Sequence, residues 1–240
     1  MQRVERAQRA KGSDAQDRFM GGSMTETMER EAVLIGALGL QGELLLPEHP
    51  AGLVLFAHGS GSSRLSPRNA FVAHVLQEHG LGTLLFDLFH PTEAADRRKV
   101  FDIGLLGARV AAALAWLAQR SDLAGLRIGL FGASTGAAAA LHAAAELPGR
   151  VGAVVSRGGR PDLAGERLAR VGAPTLFIVG GRDAEVLQLN REAMRAMSCR
   201  KRLEIVPGAS HLFEEPGTLD AAAHLAGAWF ETHLAAQGTP

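Results

Sequence analysis

Residues Leu126–Leu147 read LRIGLFGASTGAAAALHAAAEL. An apolar run, Leu126–Phe131, ends in Gly132-Ala133-Ser134-Thr135-Gly136, and a helix-like stretch of small residues follows. This is G-x-S-x-G set between a strand and a helix, and in that context the pattern has a mechanical meaning. A tight, strained turn lifts the Ser hydroxyl above the edge of a sheet, and Gly at both ends removes Cβ atoms that would clash. The alanines suit a helix that must press close to the sheet on leaving so sharp a turn. Ser134 is therefore the candidate nucleophile. The pentapeptide alone would also fit a Gly-rich turn carrying an idle Ser, so the rest of the chain has to decide.

On either side of this stretch, short apolar runs alternate with longer amphipathic ones, the pattern of βα units around a mostly parallel sheet. Strands are predicted at Ala32–Ala37, Gly42–Leu46, Leu53–Ala57, Thr83–Leu88, Leu126–Phe131, Val151–Ser156, Thr175–Val179 and Leu203–Val206. Leu38–Gln41 is too short for a crossover helix, so the first two strands should pair as an antiparallel hairpin and the other six can run parallel. Helical spacing of apolar residues marks Pro67–His79, Phe101–Gln119, Gly136–Glu146, Ala184–Met197 and Leu219–Ala235. Only Arg157–Val171 separates the sixth strand from the seventh, which leaves no room there for a large cap domain. Residues 1–28 are polar, lack a signal-peptide core and contain Gly21-Gly22-Ser23; they read as a disordered leader or cloning remnant ahead of a single domain over 29–236.

A Ser hydroxyl is a poor nucleophile at neutral pH and needs a base, itself oriented by an acid. Behind an elbow of this type the acid and then the His follow in chain order, each just past a strand. Asp183 follows the strand Thr175–Val179 through Gly180-Gly181-Arg182, and His211 follows Leu203–Val206 through Pro207-Gly208-Ala209-Ser210. Singly, Asp183 could be a helix N-cap and His211 a surface histidine; the conjunction in the right order points to Ser134, Asp183 and His211 as a triad. Acyl transfer also needs donors where the oxyanion forms. One is the N–H of Thr135; the other comes from the loop His58-Gly59-Ser60-Gly61, with Ser60 N–H the candidate and Gly61 its neighbouring alternative.

Composition narrows the partners. Lys+Arg and Asp+Glu are 25 each, so no electrostatic footprint for nucleic acid or an acidic membrane exists, and no apolar run is long enough to cross a bilayer. A lone Cys199 can form neither an internal disulfide nor a Cys-based metal site and fits a reducing, cytoplasmic compartment. His74, His79, His142, His224 and His233 fall in helical patterns without the carboxylate company of a metal site, so no metal is expected. No cofactor is expected either: Gly129-Leu130-Phe131-Gly132 is not G-x-G-x-x-G, and the chain has no Tyr for a Tyr-based dehydrogenase. A small-molecule substrate is the expected partner, and a homodimer is left open.

His58-Gly59 after the third strand, GASTG after the fifth, Asp183 and His211 together resemble the α/β-hydrolase superfamily. The stretches HGSGSSRLSPRN and LLFDLFHPTEAADRRKVFDIGLLGARV are similar to its dienelactone-hydrolase-like branch, whose modules occur alone or fused behind a phosphoribosyltransferase-like domain. The resemblance implies an α/β-hydrolase fold, an eight-stranded mostly parallel sheet with helices on both faces and no large cap. It also implies Ser134, Asp183 and His211 as triad and Ser60 and Thr135 as oxyanion donors. True dienelactone hydrolases use cysteine at the elbow, so Ser134 favours ordinary ester hydrolysis of small or short-chain acyl esters. A thioesterase, acyltransferase or peptidase with the same triad, or a non-catalytic binding module, are the alternatives. Arg157, Arg64 and Arg68 lie on the ligand-binding side, where one of them could grip an acidic substrate group or simply pair with a loop acid such as Asp87 or Asp162.

Overall fold

The computed structural model describes residues 28–235 except 91, 94 and 95. In chain order the elements are β1 (Glu29–Ile35), β2 (Leu40–Leu46), β3 (Leu53–Ala57), α1 (Pro67–Glu78), β4 (Gly82–Phe86), α2 (Arg97–Val100), α3 (Ile103–Leu117), β5 (Ile128–Ala133), α4 (Thr135–Glu146), β6 (Ala153–Arg157), β7 (Thr175–Gly180), α5 (Ala184–Ala196), β8 (Lys201–Val206) and α6 (Thr218–Leu234). A short 3-10 turn, Ser121–Leu123, precedes β5, and a longer 3-10 segment, Pro161–Arg170, joins β6 to β7.

The eight strands form one sheet in the order β1-β2-β4-β3-β5-β6-β7-β8. β2 runs antiparallel to both neighbours, Glu29 opposite Leu46 and Gly42 opposite Phe86, while the other pairs are parallel. The expected hairpin and parallel body are both present. β3, β4, β6 and β7 are buried along their whole length and β5 everywhere but at Ile128, which is why they read as mainly apolar runs with no alternation. On one face Leu55, Leu130, Val154 and Phe177 meet α3, α4 and α5. On the other, Phe56, Phe131, Val155 and Ile178 meet α1 and α6. Phe56 and Phe131 touch with ring centroids 4.9 Å apart; truncating such a buried ring costs about 3–5 kcal/mol.

Most element ends shift by one or two residues from the sequence expectation, β5 for instance running Ile128–Ala133, and two elements differ further. β1 starts three residues early, at Glu29, because an edge strand needs no apolar run: Arg30 crosses to Glu43 at 2.7 Å and the charges face solvent. The helix expected over Phe101–Gln119 begins at Ile103, after a short unforeseen helix, α2. Phe101 ends α2, and the Asp102 side chain caps α3 by accepting from Leu105 N at 2.9 Å. The connection from β6 to β7 holds only the 3-10 segment, so no cap domain is inserted there. The expected leader lies outside the described residues, apart from Met28.

Candidate active site

Ser134 sits between β5 and α4 with φ 51° and ψ −121°, one of two described non-Gly residues with positive φ. A non-Gly residue is held there only if its surroundings over-determine it. They do. Ser134 N–H donates to Arg157 O (3.3 Å), and Ser134 O accepts from Arg160 N (3.0 Å) and Ala137 N (3.1 Å), so the loop after β6 grips both backbone groups of the elbow. The flanking glycines are required by contact: a Cβ on Gly136 would lie 2.0 Å from Ala57 O, and one on Gly132 would lie 2.4 Å from the Ala137 Cα.

Asp183 and His211 are brought to the same edge by β7 and β8. Asp183 Oδ2 lies 2.6 Å from His211 Nδ1. Although Asp183 occupies the N-cap position of α5, its side chain caps nothing; the carboxylate is turned to the imidazole. The two loops are stitched together by Gly181 N–H to Val206 O (2.9 Å) and Arg182 N–H to Ala209 O (2.9 Å). His211 also packs against the elbow's clamp, since a Cβ on Gly158 would lie 3.0 Å from His211 O and 3.8 Å from His211 Cε1. No hydrogen bond joins Ser134 to His211; bonds of this kind commonly tighten only with substrate in place.

Several supporting residues escaped sequence reasoning. Glu215 accepts from Ser210 N (2.9 Å) and Ser210 Oγ (3.2 Å) and pairs with Arg182 at 3.3 Å, so one carboxylate braces both the His211 and the Asp183 loops. The Ser210 N–H, before other causes, holds Glu215 below the usual carboxylate range. His58 Nε2 accepts from Leu88 N (3.0 Å), which puts the ring proton on Nδ1, facing Gly59 O at 3.1 Å. Burial lowers its proton affinity, so the neutral ring serves as a fixed tie between the β3 and β4 loops. Asn190 donates to Gly159 O (3.0 Å) and steadies the clamp from beneath. The ties from Arg182 to Glu215, Leu88 to His58 and Asn190 to Gly159 span 33, 30 and 31 residues, and no local motif announces them.

The candidate oxyanion donors are adjacent but differently engaged. Thr135 N opens α4, where backbone N–H groups lack helical acceptors. Ser60 N–H, however, donates to the Thr135 hydroxyl, Oγ1, at 2.9 Å. The arginines divide as well. Arg64 is committed to Asp87 through its N–H (2.7 Å) and its Nη1 (2.9 Å), which realises the loop-fixing role. Arg68 reaches Glu214 at 3.4 Å. Arg157 is buried, has no acidic partner among the described residues, and lies over the Phe213 ring at 5.3 Å. Burial first, and the charge of Arg68 second, push its pKa down to about 10.

Residues 70–233 match the model of the dienelactone hydrolase family. The chain belongs to the dienelactone hydrolase family. It is 52% identical to a dienelactone hydrolase from Anabaena variabilis of known crystal structure, covering 87% of this chain and 99% of that one with a TM-score of 0.83. An esterase domain from a Rhodothermus marinus protein shares the fold at 19% identity, 86% and 99% coverage and a TM-score of 0.67. A Mycobacterium tuberculosis protein provisionally named a phosphoribosyl transferase is 55% identical over 210 residues, 88% of this chain and 47% of that protein. The chain thus spans about half the length of that relative. Family and sheet together give the chain the α/β-hydrolase fold of its dienelactone hydrolase relatives. The elbow carries Ser134, and Cys199 lies at the opposite end of the sheet, before β8, near Thr175. Among the described residues no group of three or more His, Cys, Asp or Glu could hold a metal, and no helix is long and apolar enough to cross a membrane.

Proposed function

We propose that the protein is a serine carboxylic ester hydrolase acting on small, short-chain acyl esters through an acyl-enzyme. The observation that carries this reading is the strained Ser134 elbow at the same sheet edge as the Asp183–His211 pair. Ser134 Oγ adds to the ester carbonyl while His211 Nε2 takes its proton; Asp183 holds the Nδ1 proton and stabilises the imidazolium. The carbonyl oxygen becomes the oxyanion, the C–O bond to the alcohol breaks, and His211 returns the proton to the leaving alkoxide. Water then attacks the acyl-enzyme with the same base, releasing the acid and Ser134.

The absence of a cap over the β6–β7 connection supports a preference for short acyl groups. Arg157 supports a second feature, recognition of an acidic group on the substrate, because an uncompensated buried cation is costly and a carboxylate would neutralise it. A fluorophosphonate probe should add one adduct at Ser134 to the wild type and none to Ser134→Ala. The same preparations assayed on two-, four- and twelve-carbon p-nitrophenyl esters should favour the short ones. A wild type that stays unlabelled would overturn the enzyme reading, and faster turnover of the twelve-carbon ester would overturn the chain-length preference.

A further inference from the structure

Thr135 is an unusual opening for α4. The residues after Gly136 are alanine through Ala140, as a helix pressed on a sheet requires, yet this position carries a β-branched, polar side chain that is only 5% exposed. Buried side-chain polar atoms normally have at least one hydrogen-bond partner, and a hydroxyl can both donate and accept. Thr175 and Thr218 direct their hydroxyl protons to backbone carbonyls at 3.0 and 2.7 Å, whereas the buried Thr83 only accepts, from Gln77 Nε2 at 2.7 Å. Thr135 follows the second pattern. Its Oγ1 accepts from Ser60 N–H at 2.9 Å, across 75 residues of chain, and among the described residues nothing accepts its proton.

The placement gives that proton a use. Thr135 follows the nucleophile directly, and its N and Oγ1 are three bonds apart, close enough for one oxygen to accept from both. Ser60 N–H, the other donor expected to face the oxyanion, points at Oγ1 instead. A hydroxyl that accepts from one N–H is polarised by it and donates more strongly through its own proton.

We propose that Thr135 supplies two oxyanion contacts, its backbone N–H and its side-chain O–H, and that Ser60 N–H acts through the Thr135 hydroxyl and does not touch the oxyanion. The hydroxyl keeps its proton throughout; it gains a hydrogen bond as the carbonyl oxygen takes up charge and loses it when the tetrahedral species collapses. This deepens the serine-hydrolase reading and rests on it.

The test uses Thr135→Val, which keeps the shape and removes the hydroxyl, Thr135→Ala, which suits a helix start pressed on a sheet, and Thr135→Ser, which restores the O–H. With p-nitrophenyl acetate, Val and Ala should each lower kcat about 100-fold with KM little changed, as loss of one oxyanion donor does, while Ser stays within about threefold of wild type. Affinity for a trifluoromethyl ketone, which Ser134 converts to a tetrahedral oxyanion, should fall by the same factor as kcat in each variant. The proposal is overturned if Val and Ala keep wild-type kcat, if only KM changes, if Ser is as impaired as Val, or if kcat rises because the hydroxyl had been blocking Ser60 N–H. Wild type run in parallel separates the two levels: a wild type with neither turnover nor Ser134 labelling removes the hydrolase reading and this inference together, whereas an active wild type with active Val and Ala variants removes the inference alone.

Discussion

The two ends of the sheet differ in kind. At the amino ends of the central strands lies a cavity of about 950 Å³, bounded by Leu114, Ala115, Ala118, Leu147 and Pro174, with a second of about 600 Å³ beside Leu46 and Pro50. That end also carries the only cysteine, Cys199, whose thiol burial pushes to higher pKa and so away from the reactive thiolate. At the carboxyl ends a serine is held at positive φ, an arginine is buried with no counter-charge among the described residues, and an imidazole is aligned on a carboxylate. Backbone strain beside aligned titratable groups, more than cavity volume, marks a candidate for chemistry.

Four substitutions set these ends against each other. Asp183→Asn keeps the shape of the acid but disturbs the tautomer of His211, and kcat should fall by about 10⁴-fold with the fold intact by circular dichroism; near-normal turnover would show that the carboxyl end is not organised around this pair. Arg157→Ala should reduce activity on a dicarboxylic half-ester about tenfold to a hundredfold more than on the matching neutral ester, as expected for loss of a charge-assisted contact. An unchanged ratio would return Arg157 to a purely packing role over Phe213. Smallest should be the effect at the other end: Ala115→Arg, reaching into the large cavity, and Cys199→Ser should each leave kcat/KM within about twofold. A large loss from either would mean that the amino end takes part in turnover.

The elbow was legible in the sequence because its chemistry is local. Gly132 and Gly136 bracket Ser134 for contacts made within a few residues or with the neighbouring strand, and the order of Asp183 and His211 followed from where strands end. Pairings across the fold were not legible. Arg64 and Arg157 look alike as arginines just past strands, and only the approach of the β4 loop gives Asp87 to Arg64 and leaves Arg157 alone. The same holds for Ser60: its loop was expected to reach the elbow, but that Thr135 Oγ1 accepts its N–H depends on a side-chain rotamer no spacing rule encodes. The starts of β1 and α3 were obscured for another reason. Edge-strand charges and a capping Asp102 are weak signals beside apolar periodicity.

The clamp on Ser134 also fixes where this scaffold can be extended. Both backbone groups of Ser134 bond to residues 157 and 160, so the first turn after β6 belongs mechanically to the elbow. A graft placed before Arg160 would unhitch the serine, whereas one entering at the exposed residues 165–167 would leave that turn and its Arg160–Asp162 pair in place. The molecule therefore offers a defined insertion point for a lid, and a route by which the carboxyl edge of the sheet could be covered without disturbing the Ser134 turn.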